Sequence, residues 1–526
     1  MSDLERKLEG VMEGRITRKQ FIQYGIAAGL SMSAIGGLLA ACGPSSSSGS
    51  STPPSKPTGT IIVGNPEPPT SANWDPHLGY GLADQQTWSL TYDTLVQPDA
   101  TGKLIGRLAT KFARTNATTL HVEIRKGVKF PNGDELTSAD VKASFDRLGD
   151  PKSGLPFSGL NPPSHVNVID PYTFDISTDQ PYGPLETNLT IQPIISAKDV
   201  KDPSIFKQRT NGTGPYDFVS YSQNKVTLEA KPSYFLGAPR SKTIVLQYIG
   251  DPDARRNALL SGEIDIFTRS SSVDLDTVKG NSSFYTNNSS PASYGCYNAE
   301  FNTALGDARV RQALAYSIDR TTIANNIMKI DKPAASSLVR SNTYFEQLQP
   351  AFEYNPTKAK QLLADAGYAN GLSFSFASAN FLPHQQEIDV AVTDKYFKDV
   401  GITAKVDRLE TGAFRTNWRN YALSYNTWGG TGSDPDTIFI IFQPLIAKIL
   451  FKWVDPKLGP LYDGQRFVVG DARKAAVNAM AQYLWEQQAQ IYIADDVWYT
   501  IVSSKIKNYS RAPVVGESLL TQAWKV

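Results

Sequence analysis

At 526 residues the chain is too long for one hydrophobic core, so two or three lobes are expected. Lys plus Arg (52) balances Asp plus Glu (51), and no basic stripe interleaves with aromatics, which argues against nucleic acid as a partner. Two cysteines, Cys42 and Cys296, exclude a disulfide framework, while 24 Tyr and 8 Trp can line a pocket as well as fill cores.

Residues 1–42 read as an export segment rather than part of the fold. Arg15, Arg18 and Lys19 precede a Gly- and Ala-rich apolar run over 26–41, too short and weak for a spanning helix. The run ends in Leu39-Ala40-Ala41-Cys42-Gly43, which resembles a bacterial lipobox. That resemblance implies cleavage before Cys42, lipidation of its sulfur and attachment to the outer face of the cell membrane. Thr17-Arg18-Lys19-Gln20-Phe21-Ile22 resembles a twin-arginine signal with Lys19 in place of the second arginine, so both export routes stay open. The Ser- and Pro-rich stretch 43–59 carries one charge, Lys56, and reads as a tether. Elsewhere the nearest candidate for a membrane span is 437–454, and it is broken by Gln443-Pro444 and Lys448.

From residue 60 the chain reads as alternating strands and helices. A β-branched strand over 60–64 leads into a loop with Asn73-Trp74-Asp75-Pro76-His77. Helical spacing of Trp88, Tyr92 and Leu95 predicts a helix over 83–96. Residues 120–125 alternate as a half-buried strand, and Thr137-Ser138-Ala139-Asp140 caps a helix carrying Val141, Phe145 and Leu148. A helix is expected over 309–328, another over 357–366 closed by Gly367, and a last one over 472–490 before a strand at 498–503. Between them, 372–377, 386–400 and 402–409 spell strand, helix, strand, a βαβ unit with a parallel pair, so at least one lobe is α/β.

One window concentrates recognition chemistry. After a strand over 421–427, Trp428-Gly429-Gly430-Thr431-Gly432-Ser433-Asp434-Pro435-Asp436 gathers an indole, three glycines and two carboxylates. Glycines let a backbone approach a bound molecule, and the indole offers a flat apolar platform with one donor. Catalytic patterns are missing. His77, His121, His165 and His384 form no metal spacing, no Gly-x-Ser-x-Gly elbow or P-loop occurs, and Cys296 reads as a buried free thiol. No cofactor or metal is expected.

A series of blocks in fixed order now carries a resemblance. Ile124-Arg125-Lys126-Gly127-Val128-Lys129-Phe130-Pro131-Asn132-Gly133-Asp134-Glu135-Leu136-Thr137-Ser138-Ala139-Asp140-Val141 is similar to the signature of the solute-binding proteins of peptide and nickel ABC importers, family 5. So are Gly212-Thr213-Gly214-Pro215-Tyr216, Tyr297-Asn298 with Asp307 to Leu314 and Asp319-Arg320, and Asn355-Pro356 with the helix after it. The resemblance covers about 60–510. It implies an α/β, two-lobed periplasmic-binding-protein-like fold (type II, cluster C) with an additional subdomain. Lobe I would comprise 60–97, 206–292 and 501–526, the subdomain 98–205 and lobe II 293–500. The implied function is a monomeric, non-enzymatic extracytoplasmic receptor that delivers a solute to the membrane subunits of an ABC permease. A secreted lipoprotein hydrolase of cell-wall peptide or glycan is the alternative.

The resemblance also implies where a ligand would sit. Peptide-binding members carry an aspartate three residues after the tryptophan, for the peptide ammonium; here that position is Thr431. Dipeptide binders carry a carboxylate-binding arginine at the position matching Asn380. A buried charge without a partner costs several kcal/mol, so losing both pins argues against free dipeptides and for an oligopeptide or oligosaccharide ligand. Asp434 is a substitute acid. The expected ligand-facing residues are Trp428, Gly430, Thr431, Asp434, Asn73, Trp74, Tyr294, Tyr297, Asn380 and Trp418.

Overall fold

The computed structural model describes residues 53–69, 73–78, 82–99, 103–150, 152–153, 155, 164–289, 293–379, 384–429, 433–495, 498–509 and 519–526. Cys42, Gly430, Thr431 and Asn380 lie outside the described residues.

Thr58–Asn65 is the middle strand of a seven-stranded sheet. It runs parallel to Ser241–Tyr248 on one side and to Ile266–Ser270 on the other. Antiparallel strands complete both flanks, Lys225–Ala230 and Tyr216–Ser222 on one, Trp498–Ser503 and Phe284–Ser289 on the other. Ile61, Val63, Leu246 and Ile266 fill its core.

A second sheet has five strands. Leu372–Ser378 is parallel to Ile402–Arg408 and to Leu423–Gly429, and Ser293–Ala299 and Gln490–Asp495 continue it antiparallel. The predicted βαβ unit is therefore present, with helix Gln385–Ala391 in the crossover. Its faces are covered by a large core that includes Tyr297, Leu314, Phe376 and Trp485. The chain passes from the first sheet to the second between Phe284–Ser289 and Ser293–Ala299, and returns between Gln490–Asp495 and Trp498–Ser503. Two such strand-to-strand crossings are the connection a two-lobed closing molecule requires.

A third, four-stranded antiparallel sheet holds Ala109–Asn116, Thr119–Ile124, Thr173–Thr178 and Ser164–Asp170. Alternation in Thr119–Ile124 buries Leu120, Val122 and Ile124 against Phe174 and Ile176, each worth about 1.5–3 kcal/mol. The expected capped helix is Ser138–Gly149, and Thr137 and Asp140 form a capping box on it.

Two helices are shorter than their periodicity predicts. The helix expected over 83–96 spans Leu82–Thr91. It stops where buried Asp93 accepts hydrogen bonds from Arg107 Nε (2.6 Å), Thr213 Oγ1 (2.7 Å) and Tyr234 OH (2.7 Å). The helix expected over 309–328 ends at Ser317, and Ile318 is extended. Asp319 then caps a new turn by accepting from the Thr322 amide at 2.9 Å. In both places an aspartate takes hydrogen bonds just past the helix end, buried Asp93 from distant side chains and half-buried Asp319 from the next turn.

Candidate functional site

In an open α/β sheet the ligand crevice lies outside the carboxyl ends of the parallel strands. Here those ends belong to two sheets and are joined by side chains. Glu67 follows strand Thr58–Asn65, and Arg415 lies on helix Thr411–Asn417, which follows strand Ile402–Arg408. The Glu67 carboxylate contacts the Arg415 guanidinium and lies 4.0 Å from Arg269 of the first sheet. A second joint is made where the Ser272 amide donates to His384 Nε2 at 3.4 Å.

Backbone geometry aims Arg269 at this junction. The ladder between Ile266–Ser270 and Trp498–Ser503 shifts register between Thr268 and Ser270, and Arg269 adopts φ 55°. A bulge of this kind re-aims one side chain, and a positive φ at a non-glycine residue is a cost that surrounding contacts must offset. Beside it the Asn65 Nδ2 and Ser270 Oγ atoms are buried and make no hydrogen bond among the described residues.

The Trp428 window lies on the second sheet. Trp428 stands opposite Tyr294 in the antiparallel ladder, so the two side chains share one face. The half-buried Trp428 indole donates to Asn298 Oδ1 at 2.8 Å. Gln490 Nε2 donates to the same oxygen at 2.8 Å, while Gln490 Oε1 accepts from the Tyr294 hydroxyl. Trp418 and Phe451 meet the indole edge-on, with centroids 6.3 and 6.2 Å away. Trp428 thus braces the start of the glycine loop, its polar edge committed to Asn298. Asn298 joins side chains of the two neighbouring strands.

Among the described residues, the other expected ligand-facing positions are held within the frame of the lobes. Tyr297 points to the opposite face, where it is fully buried, packs on Tyr425 and Phe376, and donates to Asp389 at 3.0 Å. Tyr294 and Trp418 are buried in the same lobe core, and Trp74 packs in the first sheet's core against Phe218 and Tyr221. Asn73 turns its side-chain oxygen back to the Asp75 amide at 3.1 Å. Asp434 forms a two-pronged buried ion pair with Arg473, at 2.6 and 2.7 Å, and also accepts from the Asp436 amide at 2.9 Å. Its carboxylate is engaged by Arg473 just beyond the glycine loop. Asp436 is enclosed by Arg466 (3.2 Å) and Gln465 (2.7 Å), and burial raises its pKa.

Other groups are built into the frame. Burial lifts the Asp389 carboxyl to about 7, against hydrogen bonds from Ser378 Oγ (2.6 Å) and Tyr297 that favour ionisation. Burial lowers His384 and His77 to about 4, and pushes the free Cys296 thiol well above its ordinary value, which makes it unreactive. Among the described residues no cluster of His, Cys, Asp and Glu could hold a metal ion, and no helix is long and apolar enough to cross a membrane. Sequence reasoning missed Glu67, Arg269 and Arg415. Glu67 could have been found, because it lies three residues beyond the first predicted strand, 60–64, at its carboxyl end.

The sequence profile of bacterial extracellular solute-binding proteins, family 5 Middle, matches residues 103–444. The chain belongs to this family. It is 26% identical over 350 residues to glutathione-binding protein GsiB of Escherichia coli K12, covering 64% of this chain and 67% of that protein. It is 28% identical over 409 residues to oligopeptide-binding protein AppA of Bacillus subtilis 168, covering 71% and 74%. The solved structure of AppA from Bacillus subtilis in complex with a nonapeptide superposes with a TM-score of 0.79 at 21% identity, over 90% of this chain and 99% of that one. The fold is accordingly that of the two-lobed periplasmic binding proteins.

Proposed function

We propose that this chain is a lipid-anchored extracytoplasmic receptor that closes two lobes over a solute and passes it to an ABC permease. One observation carries the reading: Glu67 and Arg415 meet from beyond the carboxyl ends of strands in two separate sheets, between which the described strands cross twice. Closure then excludes water from a cleft whose polar groups a solute can satisfy, and the closed form is favoured by a solute's differential contacts with it.

The solute is of peptide type. GsiB and AppA are named for glutathione and oligopeptide binding, and Glu67, Arg269 and Arg415 offer both signs of charge to termini or side chains. An oligosaccharide is the second reading, favoured by the neutral Thr431 and Asn380, positions to which the family resemblance assigns charged residues in peptide and dipeptide binders. Lobe I would comprise 60–97, 206–292 and 501–526, lobe II 293–500, with 98–205 as the added subdomain.

A thermal-shift screen of the chain from Pro53 onward, against peptides and oligosaccharides, tests the function. A solute at 100 times its Kd should add about 2.7 kcal/mol of stability. Recovery of the stabilising compound in cleaved form would replace the receptor with the lipoprotein hydrolase.

A further inference from the structure

The stretch 437–454, too interrupted to span a membrane, folds on the surface of the second sheet's lobe as Asp436–Phe439, Ile440–Phe442 and Pro444–Phe451. In the last of these helices Ala447 and Phe451 are buried, while Leu445, Lys448 and Ile449 face outward at helical spacing. Lys452 ends the helix at φ 58°, and Val454 follows. Leu445, Ile449 and Val454 are 57%, 50% and 75% exposed, a high value for three neighbouring apolar side chains. With Asn302, Lys448 and Lys452 they line a groove of about 440 Å³, and none of the six is acidic. Exposed Lys457 lies just beyond.

From these observations we infer that this patch is a docking surface for an anionic lipid bilayer. The inference rests on the anchored-receptor reading above. Two independent features select lipid as the occupant. The first is composition: aliphatic side chains alternating with lysines on one helix face, without acids, fit the boundary between acyl chains and anionic headgroups. The second is chain length. Pro53 is only eleven residues beyond Cys42, so even a fully extended connection spans at most about 40 Å. A folded body held that close must rest some face near the bilayer, and this face lowers the cost of doing so.

The test uses the full lipidated chain reconstituted on vesicles of phosphatidylglycerol and phosphatidylcholine, with a nitroxide at Val454→Cys. Cys296 is buried and stays unlabelled. The ratio of oxygen to water-soluble nickel-chelate accessibility should be severalfold higher than for a control label at Val219→Cys, an exposed site on strand Tyr216–Ser222. Adding Lys448→Glu and Lys452→Glu should weaken the engagement by about 25-fold, taking roughly fivefold per lysine, and return the ratio to the control value. All four residues are surface-exposed, so the variants keep the fold. Equal accessibility at both labelled sites overturns the inference, as does shielding of Val454 that appears only when permease-bearing membranes are supplied, which assigns the patch to a protein. Failure of the chain to float with the vesicles at all overturns the anchor itself, and is read separately.

Discussion

At the residue scale, several side chains of the Trp428 window serve as supports. Asp434 and Arg473 form a buried pair beside the glycine loop, and breaking such a pair leaves an uncompensated charge. Asp434→Ala should therefore cost about 3–5 kcal/mol in denaturant unfolding; a loss of solute affinity with stability unchanged would return Asp434 to the ligand. Asp389 makes a second prediction, through pH. Its folded pKa of about 7 lies above the unfolded carboxylate value, so the folded form holds its proton longer. Its contribution is complete below pH ~4 and is lost as pH rises through about 7, on the order of 4 kcal/mol in all. His77 and His384 act with the opposite sign in the same range and are common to both proteins compared. Asp389→Asn should thus gain stability relative to wild type between pH 5 and pH 8, and a constant difference would contradict the assignment. Part of this was legible in the sequence. Tyr294 and Tyr297 are three apart on one strand, so period-two alternation already puts them on opposite faces. The Thr137–Asp140 capping box was legible because its partners are local. The Glu67–Arg415 contact was not, because nothing in either neighbourhood specifies the other.

At the scale of elements, strands and the βαβ unit were read correctly because their signals are short-range alternation and punctuation. Helix ends were harder. Periodicity continues past Thr91 and Ser317, while the chain is diverted by Asp93 and Asp319, whose hydrogen bonds depend on partners or caps that hydrophobic spacing does not register. The glycine loop after strand Leu423–Gly429 is bounded by Trp428, tied to Asn298, and by Asp434, tied to Arg473. Thr431 lies in the sequence between these two tethered residues. Thr431→Asp should then improve binding of free-amine peptides about tenfold or more, the gain a buried charge partner supplies. Calorimetric titration with a peptide and its N-acetylated form checks this, and equal affinities in the variant would contradict it.

For the whole molecule, composition and length indicated more than one lobe, and the ordered blocks pointed to the family that the profile match established. How the lobes meet was hidden, because Glu67 and Arg415 touch from segments that follow strands of separate sheets. Membrane attachment is tested apart from closure: Cys42→Ala should abolish incorporation of radiolabelled fatty acid, and label persisting on that variant would refute the anchor. The central claim is that a solute closes two lobes. It is tested most directly by the distance between spin labels at Val219→Cys and Val390→Cys, exposed positions associated with the first and second sheets. A stabilising solute should collapse a broad distance distribution to one narrow population. The same distribution with and without bound solute would contradict the account.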